Sequence, residues 1–582
     1  METAFRTHTN GQLRSQDTTK IVKLSGWIQS RRDHGGIIFI DLRDKYGITQ
    51  IVFDPQAPEI FKQAEQLRRE DVVCIQGTVR QRGEGLNNPK LATGDIEVLV
   101  SSLQVINTSQ TPPIEIDDHK IAGEDARLLY RYLDLRRPQM QRHLTMRSNI
   151  INTMRQHVQA LGFVEIETPL LVKSTPEGAR DYVVPSRVNK GQFYALPQSP
   201  QLYKQLLMVG GCDRYYQLAR CLRDEDLRAD RQPEHTQFDF EMSFVSQQDI
   251  RNMVEQMLVK VVSQHLGKTL KTPFRVLSHQ EAMEKYGCDK PDLRYDLPLH
   301  TVTDIVKDSD FSVFTQVIAQ GGMVKCIVAP KDLARKDIDR YITFCQQHGA
   351  KGMAWMRITQ DGLESNITKF FSDAIQQQLQ ALGEPGSVIM FIADKKEVTN
   401  AVLDKLRRQL AQDLELLTDE LAFCWVNDFP LFAYNKDEQR WEAEHHMFSM
   451  PKQEFVDTLE QDPGTVLGDL WDLVLNGVEL ASGSIRVSNP QVQERIMNIV
   501  GFDKQKAYEK FGFLLNAYTY GGPIHGGMGI GVDRLVAMLL GFNDIREVMA
   551  FPKNKHAQCP MDGSPSGIEE AQLKELHIQV RK

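Results

Sequence analysis

A chain of 582 residues exceeds what one hydrophobic core can hold, so about two to four domains are expected. No apolar run reaches the roughly 18 residues a membrane span needs, and METAFRTHTN has no apolar signal core, so a cytoplasmic protein is expected. The net charge of −8 argues against bulk nucleic-acid binding without excluding a local basic face, and eight cysteines with no CxxC pair argue against a zinc site.

Residues 20–53 show three strand-like runs broken by glycine-containing turns, and 71–79 and 96–106 supply two more. Five short strands in this space suggest a small barrel of the OB type. Arg31, Arg32, Phe39 and Gln50 could form its stacking face for unpaired bases. Equally, Phe39 could be core and the arginines solvated. The segment TPPIEIDD reads as extended linker, and LLYRYLDLRRPQM opens the next domain. Residues 141–161 have helical periodicity, with Gly162 as the C-terminal cap. FVEIETPLL follows as a strand closed by Pro169. TPEGARDYVVPSR (175–187) reads as a loop, and LPQSPQLYKQLLM (196–208) as a turn and helix with Ser199 and Pro200 at capping positions. Lys204 stands in an otherwise apolar stretch of that helix, so it faces something other than water.

The stretch RYYQLARCLRDEDLRADRQPEHTQFDFEMSF (214–244) reads as an antiparallel hairpin with charge at its mouth. Phe238, Phe240 and Met242 alternate with Gln237, Asp239 and Glu241, as in a half-buried strand. Arg223 and Glu225 stand where the first strand ends. A fixed arginine fork suits phosphate, although a charged hairpin loop can also be merely solvated. Residues 286–421 hold further β and α segments ending in a helix, EVTNAVLDKLRRQLAQDLEL, and show no chemistry of their own. His445 and His446, if on a strand, point to opposite faces, so only one enters a given site. Asp472 and Glu479 are seven apart and lead into a turn, a pattern that suits Mg²⁺. Glycines 526, 527, 529 and 531 on a strand leave room for a flat ligand against the backbone. Asp533 and Arg534 then open a helix whose N-terminus suits a polyphosphate.

The loop beginning Arg223–Asp224–Glu225–Asp226 and the glycine strand with its helix resemble motifs two and three of the class II aminoacyl-tRNA synthetases. The 141–171 segment resembles motif one. From about residue 5 onward the chain resembles the bacterial aspartyl-tRNA synthetases, in the form that serves both tRNA(Asp) and tRNA(Asn). The resemblance implies an α+β multidomain fold. Its parts would be an OB-fold anticodon-binding barrel (1–107), a hinge (108–140), a class II antiparallel-sheet catalytic domain (141–285 and 422–582), and an inserted α+β domain (286–421). That insertion would be akin to part of the tRNA-dependent amidotransferase.

By the same resemblance, Glu177, Ser199, Gln201, Lys204, Arg223, His445 and Arg486 bind aspartate, with Lys204 and Arg486 pairing its side-chain carboxylate. Arg223, Asp224, Glu225, Gln232, Glu479, Gly531, Val532, Asp533 and Arg534 bind ATP, with Arg223, Glu225 and Arg534 catalytic. Asp472 and Glu479 carry Mg²⁺. Arg32, Phe39, Gln50 and Glu97 read the anticodon. His34 and Gly85 stand where relatives that charge only tRNA(Asp) carry Leu and Lys. A homodimer and an amidotransferase partner are implied as well. The chain departs from the family pattern at Val52, where a second aromatic is expected, at Met447 in place of proline, and at Ala481–Ser482–Gly483 in place of a glycine-rich run. The rival expectations are a strictly tRNA(Asp)-specific enzyme, an asparaginyl or lysyl sibling, a class II asparagine synthetase and a non-catalytic relative. Lys204 with Arg486 favours an acidic substrate, the barrel disfavours the small ligase, and Arg223, Glu479 and Arg534 disfavour the non-catalytic form.

Overall fold

A computed structural model describes residues 2–175 and 178–581. It divides into two compact units, 1–147 with 546–567, and 148–545 with 568–582.

In the first unit, β1 (Ile21–His34), β2 (Ile37–Asp44), β3 (Gly47–Phe53), β4 (Val72–Gln81) and β5 (Ile96–Asn107) close a barrel in the order β1-β2-β3-β5-β4. Ile38, Ile40 and Leu42 alternate into its core with Val22, Leu24 and Ile28. Alternation therefore turns Phe39 outward, where it is half-buried, and Phe39 is not a core residue. Arg31 to His34 lie on β1 itself; the connection to β2 is only Gly35–Gly36, with φ of 63° and 79°. Those angles belong to the mirror-image hairpin turn that glycine favours.

Past the barrel, Ile114 and Ile116 of the extended segment pack on Leu133. Beside them Asp134 is fully buried and accepts from Arg127 Nε at 3.0 Å, Arg131 Nη1 at 2.5 Å and Arg137 Nη1 at 2.9 Å. Arg131 also donates to the carbonyls of Arg546, Met549 and Ala550, tying the returning C-terminal segment into the unit.

The second unit is built on an eight-stranded sheet. Its order is Arg275–Ser278, Phe423–Asn427, Leu470–Leu475, Val478–Ile485, His525–Gly531, Glu234–Ser243, Arg214–Leu222, Val164–Glu165. Pairing is antiparallel except at the two edges, which are parallel. The strand expected over 163–171 shrinks to Val164–Glu165. Beyond Ile166 the Gln217 side chain replaces the ladder, accepting from Thr168 N at 3.3 Å and donating to Thr168 Oγ1 at 2.7 Å. Part of the 175–187 loop is also ordered into a strand, Val183–Pro185, paired with Phe193–Ala195.

The insertion forms its own five-stranded sheet, covered by the helix Lys396–Asp413. Arg407 is buried against the Tyr286 and Tyr295 rings and donates to the carbonyls of Asp292, Tyr295 and Leu297.

Burial alone would raise the Asp134 carboxyl, but the arginines around it outweigh that and hold it below the ordinary range. Its contribution is complete above the unfolded carboxylate pKa and is lost as pH falls through the lowered value. Asp134→Asn leaves buried guanidinium groups unmatched. It should cost about 3–5 kcal/mol, seen as a lower urea midpoint with the same slope.

Candidate active site

Alternation predicts that Asp239 and Glu241 lie on the solvated face of their strand. The structure corrects this: both are fully buried, because the helix Gln201–Val209 and the residue just past the strand Val478–Ile485 bring cations over them. Lys204 Nζ lies 2.9 Å from Asp239 Oδ2 and 3.2 Å from Glu241 Oε2. Arg486 makes a fork with Glu241, at 2.8 Å from Nε and 3.1 Å from Nη2. Its remaining protons go to Gly527 O, Ser484 Oγ and His446 Nε2. Burial raises Asp239, and Lys204 offsets that only in part. Burial would raise Glu241 too, but Arg486 and Lys204 overcome it and bring it to about 2. The two cations expected to await a substrate carboxylate are thus already matched by carboxylates of the protein.

His445 and His446 sit on a bend rather than a strand, and both line the cavity above this network, contrary to the opposite-face expectation. Burial and Arg486 push His446 well below its usual value, so it is a neutral acceptor for Arg486. His445 is lowered by burial and lies edge-on to Phe429. Met447 is buried in the core cluster beneath, and its carbonyl accepts from Gln493.

The same cavity, of about 760 Å³, takes in Ser199, Gln201, Lys204, Arg223, Glu225, Gln232, Glu479, Arg486, Gly531, Asp533 and Arg534. Arg223 Nε makes one long hydrogen bond, to Gln198 O at 3.4 Å. Arg534 is held by Glu479 O and by Asp230 Oδ2 at 3.1 Å. Glu225 pairs with Arg231 at 3.2 Å. His235 is pushed down to about 4 by burial and by Arg223, so it adds no positive charge near neutrality. Three expected residues are not on the wall. Asp224 pairs its backbone with Arg180, Val532 is buried at the foot of the Val532–Leu539 helix, and Asp472 lies behind Glu479. Asp533 lines the cavity, yet its Oδ2 accepts from Thr236 N at 2.7 Å and so also fastens the helix to the hairpin. Glu177 lies outside the described residues.

The glycine strand has a second reason for its composition. A Cβ at Gly527 would lie 2.1 Å from Glu241 Oε2, and one at Gly529 would lie 2.0 Å from Gln237 Nε2. Of the four glycines, Gly529 and Gly531 face the cavity.

Asp472 and Glu479 come together because Asn476–Gly477, with φ of 48° and 81°, makes a two-residue turn. Val474 then faces Glu479, and Asp472 lies on the same side of the strand. A bulge next to Val474 sets Ser482 opposite Asp472, giving this departure from the glycine-rich pattern a place in the site. Burial, then the charge of Glu479, raises Asp472 well above the carboxylate range, and its buried Oδ1 has no partner. Such a pair calls for a shared proton or a cation.

On the barrel, Arg32 Nη2 reaches Asp41 at 3.0 Å and Gln50 Oε1 at 3.4 Å. Gln50 Nε2 donates to Glu97 at 2.8 Å, and Arg80 Nε donates to the other oxygen at 2.7 Å. Phe39 stands between Arg32 and Val52 in cross-strand register, and Val52 is only 1% exposed, so it offers no stacking surface. His34 shares the face of Arg32, two residues along; Gly85 is exposed, with φ of 76°. The sequence reading missed Asp41, Arg80, Asp230, Asp239, Glu241 and His446 as site residues. Alternation placed Asp239 and Glu241 on one face, but nothing local said that face is covered.

Residues 123–555 match the family model described as tRNA synthetases class II (D, K and N), and residues 22–106 match an OB-fold nucleic acid binding domain. An aspartate--tRNA(Asp/Asn) ligase of Desulfatibacillum aliphaticivorans is 50% identical over 99% of this chain and 98% of its own. That of Rubrobacter xylanophilus is 50% identical over 99% and 97%. The Entamoeba histolytica asparaginyl-tRNA synthetase, solved in complex with asparaginyl-adenylate, superposes with a TM-score of 0.59 at 19% identity, covering 93% of this chain and 97% of that one. At that identity the likeness is one of fold. Half identity over nearly the whole length, with both domain matches in the expected order, establishes that this chain belongs to the class II tRNA synthetases, on the branch of the aspartate ligases.

Proposed function

We propose that the chain attaches L-aspartate to tRNA(Asp) and tRNA(Asn) through aspartyl-adenylate, with ATP as co-substrate. The observation that carries this reading is the buried Lys204–Asp239–Glu241–Arg486 network sharing one cavity with Arg223 and Arg534. One end is set for a carboxylate-bearing side chain, the other for phosphates. The α-carboxylate of aspartate attacks the α-phosphorus of ATP and pyrophosphate leaves; a ribose hydroxyl of the tRNA's terminal adenosine then takes the acyl group and AMP leaves. The nucleophile belongs to the substrate, so the protein contributes position and fixed charge. Arg223, the less engaged arginine, meets charge growing on the α-phosphate. Arg534 meets the far phosphates, with Asp230 as the anion it exchanges. Ser199 and Gln201 line the aspartate side, and Gln232 the nucleotide side.

The Asp472–Glu479 pair fits a divalent ion by its raised carboxyl and its unpartnered oxygen. Mg²⁺ held there would neutralise polyphosphate charge. Support for a homodimer comes from Val164, Leu170 and Leu171 around motif one, each about half exposed. No helix among the described residues is long and apolar enough to cross a membrane. Aspartyl-tRNA(Asn) needs amidation before use, which is the reason to expect an amidotransferase partner.

Arg223→Ala should lower ATP–pyrophosphate exchange on the order of 10²–10³ while the melting temperature holds. Near-normal exchange would remove Arg223 from the reaction.

A substrate carboxylate can take the third Lys204 proton and displace His446 or Ser484 from Arg486 Nη1, whereas the amide N–H₂ of asparagine finds no acceptor on either cation. A pocket built on polar pairing rejects such an isostere by roughly 10⁴, read as kcat/KM in exchange. Asparagine within about tenfold of aspartate, a gap of 1.4 kcal/mol, would show that the network is not the side-chain pocket.

For tRNA, purified tRNA(Asp) and tRNA(Asn) transcripts should be aspartylated with similar efficiency. His34 can donate or accept and so tolerates either pyrimidine, and Gly85 has no side chain with which to exclude one. A preference for tRNA(Asp) above about 10³ would contradict dual charging. His34→Leu with Gly85→Lys should raise the preference, although Lys at that positive φ carries a strain of about 1–2 kcal/mol.

A further inference from the structure

The insertion carries no chemistry in its sequence, yet both of its crossings touch one turn of the catalytic sheet. That turn, Asn476–Gly477, joins the strands bearing Asp472 and Glu479. Where the chain leaves the insertion, Ala422 N donates to Asn476 Oδ1 at 2.9 Å and Asn476 N donates to Ala422 O at 3.3 Å. From the insertion's last helix, Lys396–Asp413, Arg408 Nη1 donates to Gly477 O at 3.3 Å. Arg408 is itself aimed: Asp404, one turn back, holds its Nε at 2.9 and 3.1 Å, and its Nη2 donates to Lys290 O at 3.2 Å where the chain enters the insertion. The approach is close enough to dictate the turn residue. A Cβ on Gly477 would lie 2.9 Å from Arg408 Nη1 and 3.1 Å from Asp292 Cβ, and its φ of 81° already favours glycine. Two residues on stands Glu479, whose side chain faces the cavity and whose carbonyl seats Arg534.

We propose that the inserted domain serves the ATP side of the site, with Arg408 as a positioning residue that holds the Asn476–Gly477 turn and through it sets Glu479, Asp472 and the seat of Arg534. This rests on the assignment of ATP and a divalent ion to that side. The contacts of Arg408 end at the turn, next to Glu479, whereas the aspartate side is reached only further along, through Ser482 to His445 and at the far end of the same strand, so the ATP side registers the loss of Arg408 first. A simple anchoring role for Arg408 would instead weaken both substrates alike or neither.

The test uses the full-length protein with Arg408→Met and Arg408→Lys. Mn²⁺ binding in the presence of a non-hydrolysable ATP analogue, followed by the electron spin resonance of free Mn²⁺, gives a readout independent of turnover. KM for ATP and for aspartate in pyrophosphate exchange gives the second. Arg408→Met should weaken Mn²⁺ binding about tenfold and raise the KM for ATP while the KM for aspartate stays unchanged, as expected when the support of a ligand is removed. Arg408→Lys, keeping the donor, should recover part of the loss. Unchanged Mn²⁺ binding and ATP KM, or equal rises for ATP and aspartate, overturn the proposal. Should Arg408→Met fail to fold, Asp404→Asn, which releases the guanidinium without removing it, must give the same split, and wild-type behaviour in that variant overturns the idea. The pair Asp472→Asn with Glu479→Gln tests the underlying assignment separately. If it binds Mn²⁺ as the wild type does, the metal assignment falls, and the ATP-against-aspartate split alone decides Arg408.

Discussion

Two carboxylates shut away from water, Asp239 and Glu241, are the constraint on which the centre of this molecule depends. Each would cost several kcal/mol to bury alone, and neither is tolerable without a cation in contact. Lys204 must therefore enter from the helix on one side and Arg486 from the strand on the other. Once Arg486 is committed to Glu241, its outer edge has a fixed direction, and His446 is kept neutral against it. The pocket is thus organised before any ligand arrives. Fixed dipoles and charges that need no rearrangement are what electrostatic catalysis requires.

The rest of the catalytic sheet supports that arrangement with few side chains. The glycine strand lets Glu241 and Gln237 lie flat across it. Asp533 fastens the following helix to the hairpin through Thr236, so the arginine-bearing elements on the phosphate side share one frame. The barrel repeats the logic at lower burial: Asp41 and Glu97 hold Arg32, Gln50 and Arg80 in a chain of hydrogen bonds, leaving Phe39 displayed beside them.

Much of this was legible from pattern. Strand-like runs broken by glycine-containing turns predicted the barrel strands, period-two alternation predicted the Glu234–Ser243 strand, and helical periodicity over 141–161 with Gly162 predicted all but the first turn of the Pro138–Ala160 helix. The dipeptide Asn476–Gly477 is a hairpin signal, and with it the odd spacing of Asp472 and Glu479 already implies a shared face. What failed did so for non-local reasons. Whether the polar side of the Glu234–Ser243 strand meets water depends on a helix that comes earlier in the chain and a strand more than two hundred residues later. The strand after Gly162 was cut short by a side chain, Gln217, that took over the backbone's partners. The two histidines were assigned opposite faces by a strand geometry they do not have.

Gly527 shows how far this coupling reaches. The volume a side chain would occupy there is filled by the Glu241 carboxylate and the Phe240 carbonyl oxygen, both 2.1 Å from its absent Cβ. Any larger residue evicts Glu241, and Arg486 then loses the anchor that fixes its outward edge. Position 527 would thus register in a selection as a determinant of amino-acid choice, although it is Glu241, not this glycine, that touches the cations. Mutational tolerance here tracks what the backbone leaves empty, and drift in substrate preference can begin one layer below the pocket wall.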